Sequence, residues 1–187
     1  MRIVAGQFKG RPIAAPKTDA TRPTSDRARE SLFNILAHAD YAPPLEGARV
    51  IDLFAGSGAL GLEAISRGAK FCLFVETAHA ARGAIRDNVE ALSLFGVTRV
   101  HRRSATDLGV KPAGLGARFD LAFMDPPYRK GLVEPCLKTL SDGAWLSDEA
   151  LVVVETAVDE APDLSGWMLM NDRNMGAAKM WFLRRQT

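Results

Sequence analysis

Cysteine is scarce in this chain: 187 residues hold two, Cys72 and Cys136. They lie far apart and form no ligand pair, which speaks against a disulfide scaffold and against a zinc ribbon. Histidine is nearly as rare. His38, His79 and His101 show neither metal-ligand spacing nor a Ser or Cys partner arrangement, so no metal is expected. Long hydrophobic runs are missing as well, and none approaches the roughly 18 residues of a membrane span. The opening stretch, MRIVAGQFKGRP, lacks the apolar core of a signal peptide. A cytoplasmic protein with no membrane partner is therefore expected. Internal repeats and low-complexity segments are absent, and the composition excludes wholesale disorder, a collagen repeat and a coiled coil.

What is present fits one globular domain with a small appendage: 47% hydrophobic and 25% charged residues, with 24 Lys and Arg against 22 Asp and Glu. The net charge of +2 means little, but its distribution is uneven. Residues 1–30 hold seven basic side chains and three acidic ones, a balance of +4, which leaves −2 for the remainder. A basic head on a near-neutral body suits a polyanion such as nucleic acid; a solvated surface face is the plainer alternative.

Residues 2–15 alternate weakly around Gly6 and Gly10 and predict a short hairpin or arm outside the main core. That arm, taken as residues 1–17, stands apart from a main domain over 18–187. Residues 17–24 are polar and proline-containing, hence a linker. Ala28, Leu32, Ile35, Leu36 and Ala39 recur at helical spacing, with Ser25 and Asp26 suited to cap the start. After Pro43-Pro44, strands and helices alternate. Strands are expected at 48–54, 70–76, 98–102, 119–125 and 150–156, with helices at 58–67, 78–95 and about 131–141. Pro135 fits the last helix only in its first turn. Two further strands, 167–173 and 178–185, meet at Asn174-Met175-Gly176. Near-continuous apolar strands between helices imply an α/β, Rossmann-like, doubly wound and mostly parallel sheet with an antiparallel C-terminal hairpin. Trp167, Met168, Met170 and Trp181 read as sheet packing and Cys72 as core.

The first of those strands runs into Asp52-Leu53-Phe54-Ala55-Gly56-Ser57-Gly58-Ala59-Leu60-Gly61. Glycines at 56, 58 and 61 allow positive φ and close approach of a ligand, and the helix start offers free amides. Glu76, twenty residues after Gly56, can accept hydrogen bonds from ribose hydroxyls. A nucleotide-like cofactor fits this strand, loop, helix and distal acid better than a mere tight turn does. Asp52 at the strand end suits a cofactor with a cationic amino-acid end and needs no pyrophosphate cradle. S-adenosylmethionine has that end.

A second signal sits at Asp125-Pro126-Pro127-Tyr128, where the strand over 119–124 stops. The prolines stiffen the turn and hold Asp125 extended, so that a carboxylate, carbonyls and an aromatic ring face the carboxyl edge of the sheet. An exocyclic base amine is a poor nucleophile because its lone pair is delocalised into the ring. Acceptors aimed at its N–H groups, here Asp125 and the Pro126 carbonyl, favour the pyramidal nitrogen that attacks a methyl sulfonium. Tyr128 can stack on a base drawn out of its helix or loop.

Together, Asp52-x-Phe54-Ala55-Gly56-Ser57-Gly58 and Asp125-Pro126-Pro127-Tyr128 resemble class I S-adenosylmethionine-dependent amino-methyltransferases. Two further stretches, Arg2 to Arg11 and Arg22-Pro23-Thr24-Ser25-Asp26-Arg27-Ala28-Arg29-Glu30-Ser31-Leu32-Phe33-Asn34, are similar to the bacterial 16S ribosomal-RNA guanine-N2 methyltransferases of the RsmD family. The likeness spans essentially the whole chain, including Gly143-Ala144-Trp145-Leu146. It implies S-adenosylmethionine, held at its methionine end by the Asp52, Phe54, Gly56, Ser57 and Gly58 segment and at its ribose by Glu76. Ser104 and Ala105 would border the adenine. That family often has Asn or Asp where Ser104 stands, with Asp107 a nearby substitute. RNA contact is implied for Lys9, Arg11, Arg22, Arg27 and Arg129, with 16S rRNA in an assembled or assembling 30S subunit as the partner and a monomer as the expected state. The Asp-Pro-Pro-Tyr motif also serves adenine-N6 methylation of RNA or DNA. Glutamine methylation of a protein usually goes with Asn at the position of Asp125. A nicotinamide-dependent oxidoreductase would share only the glycine loop, and a non-catalytic RNA-binding module would not need an aimed carboxylate.

Overall fold

Among the described residues seven strands form one sheet, and its order explains where the functional edge lies. The computed structural model describes residues 1–18 and 24–187. In chain order these are α1 (Asp26–His38), β1 (Arg49–Leu53), α2 (Ala59–Ser66), β2 (Phe71–Val75), α3 (His79–Ala91), β3 (Thr98–His101), β4 (Phe119–Met124), α4 (Val133–Asp142), β5 (Leu146–Ala157), β6 (Trp167–Met175) and β7 (Ala178–Arg185). The sheet order is β3-β2-β1-β4-β5-β7-β6. Strands β1 to β5 pair in parallel, and β7 runs antiparallel to both β5 and β6. Winding reverses between β1 and β4, the place where ligands collect in such sheets.

Both faces of the sheet are covered, which is why its central strands read as continuous apolar text. Val50, Phe74, Phe123 and Val153 turn to the side of α1, α2 and α3, where Leu32, Phe33, Leu62 and Ile85 fill the core. Ile51, Val75, Met124 and Val154 turn to the other side, against Cys136, Leu137 and Leu140 of α4 and against Trp145. Trp167 and Trp181 are buried in that second layer and Cys72 in the first, whereas Met168 is half exposed.

Several boundaries differ from those expected. The third helix ends at Ala91 rather than 95, because Ser93 takes φ 57° and a short 3-10 turn covers Phe95–Val97. Strand β5 starts four residues early, at Leu146, its pairing with β4 interrupted by a register shift between Phe119 and Leu121. Met175 pairs with Ala178, so the last turn is Gly176-Ala177, with Gly176 at φ 63°. Ser25 does cap α1, its hydroxyl accepting from the Ala28 amide.

The N-terminal arm is a hairpin, bridged at Arg2 and Pro12, but it does not lie outside the core. Ile3 and Ile13 are buried within the α1–α3 layer. Glu63 of α2 accepts the Val4 and Ala5 amides, Ser66 receives Gln7 and Phe8, and Asn88 of α3 pairs with both backbone groups of Ala14. Gly6 is required here: a Cβ would stand 2.0 Å from the Ser66 carbonyl oxygen. Beneath the arm, Glu63 also binds Arg67 at 3.0 Å and lies 3.7 Å from Arg29, with Arg29 and Glu63 fully buried.

Candidate active site

Strands β1, β2, β4 and β5 each bring an acid to the carboxyl edge of the sheet: Asp52 and Glu155 lie near the strand ends, and Glu76 and Asp125 just past them. Leu53 lies in register with Met124, so the glycine loop after β1 and the Asp-Pro-Pro-Tyr corner after β4 start side by side. Phe54 at φ 57°, Gly56 at φ 58° and Gly58 at φ 82° bend the first loop into the start of α2. Strain at Phe54 is of the kind that clusters at ligand sites. The glycines divide the work. Among the described residues, no atom lies within 4 Å of where a Cβ on Gly56 would be, which leaves that face open to a ligand. On Gly61 a Cβ would meet Cys72 Sγ and Phe74 Cε1 at 2.5 Å, so the third glycine serves helix-on-strand packing.

Asp52 sits below this loop, 2% exposed, and accepts the Gly61 amide at 3.0 Å. Burial pushes its carboxyl up to about 8 and repulsion from Glu76 adds to the rise, while the Gly61 hydrogen bond opposes it. Glu76 itself bridges the loops: its two oxygens accept the Gly56 and Ala78 amides, each at 2.9 Å. Ser57 is buried, its carbonyl taken by the Asn88 amide. Past β3, Ser104 is exposed and bonded to the Thr106 hydroxyl at 2.9 Å, with Ala105 buried beside it and Asp107 exposed.

Asp125 opens partly to solvent above a small cavity lined by Leu32, Leu60, Phe123, Val153, Met180 and Glu155. Those apolar walls hold its carboxyl well above the usual range, and the like charges of Glu155 and Asp52 push the same way. A hydrogen bond from the Thr24 side chain, just ahead of α1, works against them. Pro126 is buried, Pro127 exposed and Tyr128 half-buried. The Tyr128 hydroxyl donates to Glu155. An edge so crowded with carboxyl groups favours a cation, which is the fit expected for a ligand with an ammonium or sulfonium centre.

The basic residues are less uniformly placed. Lys9 and Arg27 are exposed. Arg11 is exposed too, but its guanidinium donates to the Ala91 carbonyl at 2.9 Å. Arg129 is paired with Asp159 at 2.7 Å. Arg22 lies outside the described residues. No group of His, Cys, Asp or Glu able to hold a metal occurs among the described residues, nor is any described helix long and apolar enough to cross a membrane.

Glu155 and Thr24 join the site without belonging to the glycine loop or the Asp-Pro-Pro-Tyr corner. A lone acid closing the strand text Leu-Val-Val-Val-Glu was the available signal for Glu155. Thr24 stands in the Arg22-Pro23-Thr24 stretch that carries the resemblance, but its hydrogen bond to Asp125 emerges only in the fold, since one hundred residues part the two.

The sheet order, the glycine loop and the acid-lined edge define a class I methyltransferase. The same fold occurs in a ribosomal protein L11 methylase from Lactobacillus delbrueckii subsp. bulgaricus, at TM-score 0.65 and 16% identity over 88% of this chain and 81% of that one. The chain belongs to the family described as Conserved hypothetical protein 95, whose model matches residues 1–184. It is 36% identical to Ribosomal RNA small subunit methyltransferase D of Escherichia coli (strain K12), over 100% of this chain and 90% of that protein. The solved structure of yhhF from Escherichia coli superposes at TM-score 0.79, with 35% identity over 100% of this chain and 98% of that one.

Proposed function

We propose that this protein transfers a methyl group from S-adenosylmethionine to the exocyclic N2 of a guanine in 16S rRNA of the small ribosomal subunit, in the cytoplasm. The observation that carries the reading is the acid-lined edge where Asp125 and the glycine loop stand side by side. Its substrate follows from full-length similarity to a protein named for small-subunit ribosomal RNA. S-adenosylmethionine supplies an electrophilic methyl on a sulfonium.

The chain's own residues bind and orient. Gly56 leaves room for close approach, Phe54, Ser57 and Gly58 shape the loop, and buried Asp52 offers negative charge to the amino-acid end. Glu76 uses one lone pair of each oxygen on the loop amides and keeps others for ribose hydroxyls. Ser104 and Ala105 border the place for the adenine. Asp125 and the Pro126 carbonyl accept the N–H groups of the amine, orienting its nitrogen towards the methyl, and Asp125 ionises more readily beside a cation. Tyr128 stacks on the displaced base. Lys9 and Arg11 of the arm, Arg27 of α1 and Arg129, together with Arg22 of the Arg-Pro-Thr stretch, contact the RNA backbone; phosphate contacts position rather than specify.

The test is radiolabelled methyl transfer to unmethylated 30S particles, naked 16S rRNA and DNA, with nucleoside analysis. N2-methylguanosine from RNA is expected. N6-methyladenine would keep the mechanism and overturn the base, and label in no nucleic acid would overturn the reading. Asp125→Ala is expected to remove transfer while leaving S-adenosylmethionine affinity within about threefold, since a residue that acts on the transition state is separable from ground-state binding.

A further inference from the structure

We propose that Glu155 is a positioning residue for the methyl-accepting edge: its carboxylate holds the Tyr128 hydroxyl and so fixes the ring beside Asp125. This rests on the reading above, in which that corner receives a base. Strand register brings the two acids together, and the turn after β4 returns Tyr128 to Glu155. Strands β4 and β5 are parallel with Met124 opposite Val154, and Asp125 and Glu155 are the next residues on each. Neighbouring strands run about 4.8 Å apart, so the two acids are led to the same edge on the same side. Both border the small cavity under the corner. Glu155 is 9% exposed, and its Oε1 accepts from Tyr128.

Glu155 follows an apolar run of β5, Leu151 to Val154, and its charge raises the carboxyl of Asp125. What it supplies is an acceptor that ties the loop after β4 to β5. A tyrosine anchored at its hydroxyl as well as at its Cα has little freedom left in its two side-chain torsions. A base stacking on such a ring then loses less ordering entropy than on a free one. Among the described residues, the groups facing Asp125 are Asp52 from β1, Thr24 ahead of α1 and Glu155 from β5.

The experiment uses the full chain with 16S-containing substrate. Glu155→Ala and Tyr128→Phe should each raise KM for the RNA by about tenfold, the order of one hydrogen bond to a charged group, with KM for S-adenosylmethionine unchanged. In RNA KM at a pH above the acid limb, the double variant should be no worse than either single one, because both remove the same link. Glu155→Gln keeps an acceptor and should hold the RNA KM within about threefold of wild type. It should also move the acid limb of kcat/KM to lower pH, since losing the adjacent negative charge lets Asp125 ionise more easily. The chain has two tyrosines, so 13C-tyrosine NMR, with Tyr128→Phe for assignment, reads the contact without any activity. The Tyr128 13Cζ resonance should shift in Glu155→Ala.

Additive losses in the double variant, or an unmoved resonance in Glu155→Ala, would overturn the proposal. Should Glu155→Ala fail to fold, an acid limb and a Tyr128 resonance that are both unmoved in Glu155→Gln would overturn it equally. Failure of the functional reading looks different: the wild type then labels no RNA, whereas failure of this inference leaves an active wild type with indifferent variants.

Discussion

Asp52 carries two opposed duties at the scale of a single residue. It accepts the Gly61 amide in the first turn of α2, and once ionised it offers a cationic ligand a buried negative charge. Its carboxyl rises from 3.8 to about 8 on folding, so between those values the native state binds the extra proton. The contribution is therefore fully present below about pH 4 and lost as pH rises through about 8. Asp52→Asn keeps an oxygen for the Gly61 amide and loses the charge. Urea unfolding should find its stability falling less than that of wild type between about pH 5 and 8. Cofactor binding is linked to the same proton: calorimetry should show S-adenosylmethionine affinity of the wild type climbing over that range, and the variant binding more weakly with a flatter profile. The Asp-loop-glycine pattern was legible in the residues because each feature is local, a φ only glycine takes easily or a strand running into a helix. The height of the Asp52 pKa was not, since it depends on what surrounds the carboxyl.

Helix α2 shows how much one short element can hold. All eight of its residues are buried, and Glu63 within it is fully covered. Its carboxylate accepts two arm amides and Arg67, and lies against Arg29 of α1. Arg29 in turn binds Asp26 at 2.9 Å and donates to the Arg2 carbonyl, so the arm, α1 and α2 share one charged joint. Breaking such a buried pair from one side leaves an uncompensated charge and costs about 3–5 kcal/mol. Glu63→Ala is expected to lose stability of that order in chemical melts, and amide exchange at Val4 and Ala5 should become faster than the global unfolding allows. Apolar periodicity placed α1 and the strands within a few residues. It could not reveal the joint, because positions 29 and 63 share no spacing rule; the same lack made the arm look detached when Ile3 and Ile13 are in fact core.

For the whole molecule, charge distribution matters more than the total. With +4 in residues 1–30 and −2 elsewhere, RNA affinity should fall with salt, and the slope counts the phosphates neutralised. Lys9→Ala and Arg27→Ala, both at exposed positions, should each flatten the logarithmic slope by about 0.7–0.9 while leaving S-adenosylmethionine affinity untouched. Arg129 is already paired with Asp159, so its removal should change the slope less, a comparison filter binding over a salt series would make. The class of fold, the glycine loop and the proline-stiffened acidic corner were legible in the residues alone, because apolar strands, glycine turns and proline-stiffened ends are written in neighbouring positions. Tertiary structure decided which distant positions became one site. Placing β4 beside β1 and β5 beside β4 brings Asp52, Asp125 and Glu155 to a single edge, and covering both faces of the sheet removes the water that would have screened them. The raised carboxyls of Asp52 and Asp125 arise from that burial and from the charges set beside them, Glu76 for the first and Glu155 and Asp52 for the second, which no acid possesses in isolation.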